Sequence, residues 1–371
     1  LFGERDNISM NIMVFDVPAV SGGALSILTD FYEESLKYKD KNINWIFVVS
    51  EPRLKEKGNV KVLRYPWIKK SWVHRLYFDN IIAPRLIRKY NIDKIFSLQN
   101  MIVPFIKKPQ ILYIHQSLPF VEYRFSLKEN KKFWVYQNLI GRKIIRSVKK
   151  AEKVIVQTNW MKKSCLERSL VKEEKIEVIP PNINIDITNE FESDNNSLST
   201  FFYPASSASY KNHSIIINTC QKLKEKKLDN YRVVLTLNGY ENKNINRLYQ
   251  IVKNEKLPVE FIGNLSREEV FNMYTKSILL FPSYIETFGL PMLEAKLHKG
   301  IIFASNCAFS HEILDGYENA YYFDPFNSNE LFELFLKVIE GKLNYYKVNS
   351  NNIPSVYNEH HLINTVVKVH N

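Results

Sequence analysis

Short apolar runs bounded by turn residues recur along the chain and alternate with longer stretches of helical period. The runs fall at residues 11–17, 45–50, 60–63, 94–97, 110–115 and 153–157, then at 201–204, 232–237, 259–262, 277–281 and 301–305. Each is too short for a buried helix and is mostly apolar, which predicts strands covered on both faces. Helical stretches between them predict parallel, doubly wound α/β sheets. The first run leads through Ser21-Gly22-Gly23 into a helix from about residue 24 to 38, the opening of a Rossmann-like half. Residues 181–200 are rich in Asn, Asp and Ser and read as a linker between two such halves. There is no internal repeat and no heptad run.

The most informative stretch follows the run at 277–281. It reads Pro-Ser-Tyr-Ile-Glu286-Thr287-Phe288-Gly289-Leu290-Pro-Met-Leu-Glu294-Ala. Pro291 suits the first turn of a helix continuing through Lys299, with Gly300 as a left-handed cap. Glu286 then lies in a loop after a strand and Glu294 in the first turns of the next helix. Backbone N–H groups and the positive helix end converge there, which suits a phosphate or a polar sugar. Carboxylates beside it can accept hydrogen bonds from vicinal hydroxyls. An acid near a helix N-terminus is also favoured by the dipole alone, so Glu294 by itself has a structural reading.

The string E-T-F-G-L-P-M-L-E-A resembles the signature of retaining GT-B glycosyltransferases, chiefly glycosyltransferase family 4. The likeness runs from about residue 201 to 326, through F-I-G-N-L-S at 261–266, G-I-I-F-A-S-N at 300–306 and F-D-P at 323–325. It implies a GT-B fold, two Rossmann-like doubly wound parallel-sheet domains facing a central cleft. The expected domains are residues 10–185 and 200–345, with residues 346–371 forming a helix that returns onto the first. The resemblance implies that Glu286 and the Thr287, Phe288, Gly289 and Leu290 segment meet the donor sugar and that Glu294 holds the nucleotide ribose. Lys211, otherwise an ordinary surface lysine, matches the lysine that clamps the donor diphosphate. Gly22 and Gly23, otherwise a common turn, resemble the glycine loop near the diphosphate or acceptor. His115, in H-Q-S-L-P-F, is similar to a histidine near the transferred sugar, and a hydrogen-bonded structural histidine is the competing reading. It is not assigned as a general base, because retention with front-face departure leaves the acceptor proton to the leaving phosphate. One departure stands out: an arginine is expected about five residues before Lys211, and Ser206, Ser207, Ala208 and Ser209 stand there instead. Ser206 and Ser207 are therefore candidate phosphate contacts, neutral donors being weaker than charged ones.

Composition adds the partner. The chain has 371 residues, 45% hydrophobic, enough for two cores. Residues 1–180 hold 33 Lys and Arg against 18 Asp and Glu, a net +15, whereas the remainder is net −3. A basic half implies an anionic partner. Residues 67–72 and 131–136 mix lysines with bulky aromatics, and 142–150 continues as a basic helix; this fits an anionic membrane surface, with solvated helix faces and inward aromatics as the competing reading. No apolar run is long enough to cross a bilayer, and nothing near the start resembles a signal peptide. Residues 1–9 precede the first strand as a non-native remnant or an upstream extension. Cys165, Cys220 and Cys307 lack metal-ligand spacing and read as reduced thiols. No paired-Asp or His/Cys motif implies a metal, and no cofactor is expected.

The leading expectation is a retaining glycosyltransferase of the hexosyl or N-acetylhexosaminyl type. It would use a nucleotide sugar, UDP-linked for preference, and a saccharide or lipid-diphosphate-linked saccharide acceptor for a surface polysaccharide. It would be cytoplasmic and peripheral at the inner membrane face. The alternatives are a GT-B phosphorylase or nucleotide-sugar epimerase, or a basic nucleic-acid-binding protein, though no nucleic acid is expected as a partner.

Overall fold

The computed structural model describes residues 9–20, 22–40, 42–181, 187, 189–347 and 361–369. The chain divides into two compact units, Leu1–Ile183 with Tyr357–Asn371, and Asn184–Val356.

The first unit carries seven strands: β1 (Met10–Asp16), β2 (Ile43–Val49), β3 (Val60–Arg64), β4 (Lys94–Ser97), β5 (Gln110–Ile114), β6 (Lys153–Val156) and β7 (Ile176–Val178). Their order is β3-β2-β1-β4-β5-β6-β7, with each neighbouring pair parallel. Order reverses between β1 and β4, the switch point where open α/β sheets leave a crevice at the carboxyl ends. Period-2 alternation sends Ile12 and Val14 into one core with Phe31, Trp45 and Phe47, and Met13 and Phe15 into another with Ile46, Val48 and Phe78. Both faces of the central strands are covered, hence their largely apolar runs.

The helix His361–Lys368 seals the first of these cores with Ile363, Val366 and Val367. Lys94, only 3% exposed, donates from Nζ to the Val367 carbonyl at 2.6 Å, a cation on the helix's negative end. Burial pulls the Lys94 pKa down. The expected helix over 346–371 is thus seen as eight residues, and the expectation for 348–360 lies outside the described residues, as do residues 1–8, Ser21 and 182–186.

The second unit carries β8 (Thr200–Tyr203), β9 (Arg232–Leu235), β10 (Val259–Phe261), β11 (Ile278–Phe281), β12 (Ile302–Ser305) and β13 (Ala320–Phe323). The order β10-β9-β8-β11-β12-β13 is again all parallel and reverses between β8 and β11. β7 and β13, at the sheet edges, were not expected. Ile-Glu-Val is brief, and the Tyr-rich β13 is only half-buried, so neither makes a distinct apolar run.

Two local expectations need correction, and the aromatic-basic stretches take a definite form. The polar stretch 181–200 is not linker throughout. The Phe191 amide donates to the His298 carbonyl at 2.7 Å and the Glu192 amide to that of Thr275 at 3.0 Å, while Phe191 is 6% exposed. Asp194 and Ser197 then form a capping box on the helix Asn195–Ser199, so Asn, Asp and Ser serve here as caps. The helix after Gly289 ends at Leu297, and Lys299 takes the left-handed conformation (φ 61°) in place of Gly300. Lys299 is held by an ion pair with Glu190. Gly300 instead allows close approach: a Cβ there would lie 3.3 Å from the Tyr274 carbonyl. Finally, Trp67 packs inward, edge-on to Tyr65 at 6.4 Å and Phe78 at 6.1 Å. Phe133, Trp134 and Tyr136 are half-buried, and the helix Gly141–Lys150 presents Arg142, Lys143, Arg146, Lys149 and Lys150 to solvent. These two stretches expose their cations, and no aromatic in them is fully turned to solvent.

Candidate active site

In the second unit the loops after β8 and β11 flank the switch point, and they contain Lys211 and Glu286. The β11 loop is pinned by alternate side chains: Ser283, Ile285 and Phe288 are 0, 2 and 5% exposed, whereas Glu286 and Thr287 stay partly open. The Phe288 side chain is therefore buried and not offered to a ligand. Gly289 (φ 92°, ψ 54°) starts the helix Leu290–Leu297, with Pro291 in its first turn. The positive φ favours glycine, and a Cβ there would lie 2.5 Å from Met292 Cε, so the end of Met292 would have to shift.

The β8 loop is tied to the β11 loop by side chains as well as by backbone. The Tyr284 amide donates to the Tyr210 carbonyl at 3.2 Å, and Ser283 Oγ donates to the same oxygen at 3.3 Å. Asn212, left-handed at φ 59°, donates from Nδ2 to the Pro325 carbonyl at 2.6 Å and to that of Pro282 at 3.4 Å. Tyr203, at the end of β8, donates its hydroxyl to the Lys211 carbonyl at 2.8 Å. This frame holds Lys211 Nζ 2.5 Å from Glu286 Oε1, with both side chains mostly covered (17 and 16% exposed). Burial alone would lower the lysine pKa, but the Glu286 charge outweighs it and the net shift is upward, so Lys211 is a fixed cation.

Glu294 points elsewhere. Its Oε2 accepts from the Tyr274 hydroxyl at 3.0 Å, against the helix Arg267–Tyr274. Burial pushes its pKa up, against the lowering pull of Tyr274 and Arg267. Of the remaining candidates in this unit, Ser206 is exposed, and the Ser207 carbonyl accepts from Asn242 Nδ2 at 2.9 Å. Among the described residues no group of three or more His, Cys, Asp or Glu is placed to hold a metal ion.

Gly22, Gly23 and His115 belong to the first unit. Gly22 (φ 63°) opens the helix Gly22–Lys37, and a Cβ on either glycine would meet nothing within 4 Å. His115 follows β5, its amide donating to Asn100 Oδ1 at 2.8 Å. Burial lowers its pKa to about 4, so the ring is neutral at pH 7 and a poor base, and its Nδ1 is buried without a partner. Sequence reasoning missed Asp16, which ends β1 at this unit's switch point. It is 0% exposed, and neither carboxyl oxygen makes a well-formed hydrogen bond. Burial pushes its pKa well up, against the pull of the Ala19 amide, Arg75 and Lys69. The legible signal was an acid closing the otherwise apolar run Ile-Met-Val-Phe-Asp. Tyr274, Glu294's partner, carried no such signal.

Two parallel doubly wound units, the second with its charged pair at the switch point, define a protein of the GT-B class. A model of the glycosyl transferases group 1 matches residues 186–355, and a model of glycosyltransferase family 4 matches residues 27–187. Together the two models span residues 27–355, the two halves of a family 4-like GT-B glycosyltransferase. It is 26% identical over 257 residues to the O-antigen chain mannosyltransferase RfbU of Salmonella typhimurium, covering 66% of this chain and 64% of that protein. The chain thus spans just under two thirds of that relative's length. Among solved structures it is similar to HepE of Anabaena in complex with UDP and glucose (17% identity, TM-score 0.62, 89% of this chain and 90% of that one). It is also similar to sucrose-phosphate synthase of Thermosynechococcus elongatus (14% identity, TM-score 0.66, 90% of each chain).

Proposed function

We propose that this protein transfers a sugar, with retention, from a nucleotide diphosphate to a saccharide or lipid-linked saccharide acceptor in surface polysaccharide synthesis. The observation that carries the reading is the Lys211–Glu286 pair beside the Gly289 turn at the second unit's switch point. Lys211 supplies the cation for the diphosphate, and the amides opening the helix Leu290–Leu297 add donors of the same sign. Glu286 accepts from the sugar hydroxyls and Glu294 from the ribose. Ser206 and Ser207 stand in for the arginine at the phosphates, and Gly22 and Gly23 let another backbone or a phosphate come close. His115, neutral and partnerless at Nδ1, offers a hydrogen bond near the transferred sugar. The leaving phosphate takes the acceptor proton, and the cationic groups do the work of a divalent metal.

UDP is the favoured nucleotide, supported by the HepE complex, and a saccharide acceptor is supported by the name of the Salmonella relative. The protein works at the cytoplasmic face of the membrane, as its basic first half fits. Among the described residues no helix is long and apolar enough to cross a bilayer.

The test is a screen of UDP- and GDP-sugars for hydrolysis and of the free nucleotides in thermal shift, with an oligonucleotide alongside. Turnover of one donor and stabilisation by its nucleotide alone are expected. Stabilisation by the oligonucleotide, with none by either nucleotide, would overturn the reading in favour of nucleic-acid binding. Phosphorolysis or epimerisation without transfer would favour the other GT-B activities.

A further inference from the structure

Five large apolar side chains on one helical stretch of the first unit face solvent: Trp72 (67% exposed), Val73 (73%), Leu76 (46%), Tyr77 (49%) and Ile81 (38%). They lie on the helix Trp72–Tyr77 and the π-turn Phe78–Ile82 that continues it, so their one-and-four spacing lines them up along a single outward stripe. The opposite face fixes that orientation. Phe78 is fully buried against Phe15, Tyr65 and Trp67, and Arg75 turns in to bond Asp79 at 2.7 Å and Gln99 Oε1 at 2.9 Å. Ser71 caps the start, its Oγ accepting from the His74 amide. The stripe is therefore held out in the water by well-packed neighbours.

We propose that this stripe docks the protein on an anionic lipid bilayer. The inference deepens the membrane part of the proposed function and names its contact face. A contiguous exposed patch of this kind marks a partner site. The charge around it selects the partner: Lys70, Arg85, Arg88 and Lys89 are exposed, the last three on the continuing helix Ala83–Lys89. The single acid between residues 66 and 92 is Asp79, already consumed inward by Arg75. A second copy of this chain would bring these cations face to face, whereas anionic headgroups neutralise them. Trp72 and Tyr77 suit the headgroup boundary, and Val73, Leu76 and Ile81 the acyl chains beneath. Residues 131–150, which sequence reading set beside 67–72, offer cations without fully outward aromatics.

The experiment is co-sedimentation of the full chain with phosphatidylcholine vesicles with and without phosphatidylglycerol, at low salt. Wild type should bind only the anionic vesicles and release as salt rises. Trp72→Ser/Leu76→Ser should weaken binding at least about tenfold, and Arg85→Ser/Arg88→Ser about fivefold per charge removed. Because the altered side chains are exposed, the unfolding transition of each variant should match wild type. Lys131→Ser/Lys132→Ser should retain most binding. Equal binding by Trp72→Ser/Leu76→Ser and wild type would overturn the proposal. So would a wild-type dimer in sedimentation velocity that Trp72→Ser/Leu76→Ser converts to monomer without vesicle binding. Vesicle binding needs no donor, so an inactive nucleotide-sugar screen leaves this result readable.

Discussion

Replacing Gly289 by alanine tests the framework of the candidate site most directly. The residue sits at φ 92° and ψ 54°, where an L side chain is strained. That strain costs roughly 1–3 kcal/mol. The new Cβ would also lie 2.5 Å from Met292 Cε and 3.6 Å from two Phe281 ring atoms. Met292 is 0% exposed, so its flexible end would have to shift within the core, whereas the Phe281 distance is ordinary contact. Overpacking of this kind adds about 1–3 kcal/mol, giving roughly 2–6 kcal/mol in all. Gly22→Ala is the internal control: φ is also positive at 63°, but nothing lies within 4 Å, so about 1 kcal/mol is expected. Met292→Leu shortens the obstructing side chain and alone costs under about 1.5 kcal/mol. Combined with Gly289→Ala it should recover the packing share of the loss. All five tryptophans (45, 67, 72, 134 and 160) lie in the first unit, so their fluorescence does not report this change. Hydrogen exchange at the β11 and β12 amides does. An opening equilibrium raised at least about thirtyfold corresponds to the lower bound. Exchange in Gly289→Ala no faster than in Gly22→Ala, or no recovery with Met292→Leu, would refute the steric argument.

Further outcomes follow from the charged groups. Lys211→Met should abolish stabilisation by nucleoside diphosphate, and Glu286→Gln should keep it, since the cation survives, while losing transfer at least a hundredfold. Thermal shift and single-turnover assays separate the two, and parallel loss in both variants would argue against the division of roles. Alanine at both Ser206 and Ser207 should weaken nucleotide diphosphate binding several-fold by calorimetry. Unchanged affinity and turnover would remove them from the phosphate site. Asp16 has a folded pKa above its ordinary value, so its neutral form contributes stability at low pH that is lost as pH rises through the raised pKa. Asp16→Asn should therefore melt progressively higher than wild type as pH climbs from about 4. A constant difference in melting temperature between pH 4 and 8 would contradict that sign.

The pattern of apolar runs by itself determined two parallel α/β sheets, because strands buried on both faces are predominantly apolar. The run from Glu286 to Glu294 pointed to the strand–loop–helix that carries the site, since glycine and proline leave the backbone few choices there. Tertiary structure decided the rest. That Lys211 meets Glu286 across 75 residues follows from the reversal of strand order between β8 and β11, which no local pattern encodes. That Glu294 turns to Tyr274, that Lys299 and not Gly300 is left-handed, and that Asp194 and Ser197 cap a helix inside an expected linker are all set by neighbours distant in sequence or by backbone hydrogen bonds. The aromatic-basic stretches were visible as composition, but which of them face water was not. Trp67 and Trp72 are five residues apart in similar surroundings, and only packing against Phe78 sends one inward and leaves the other exposed.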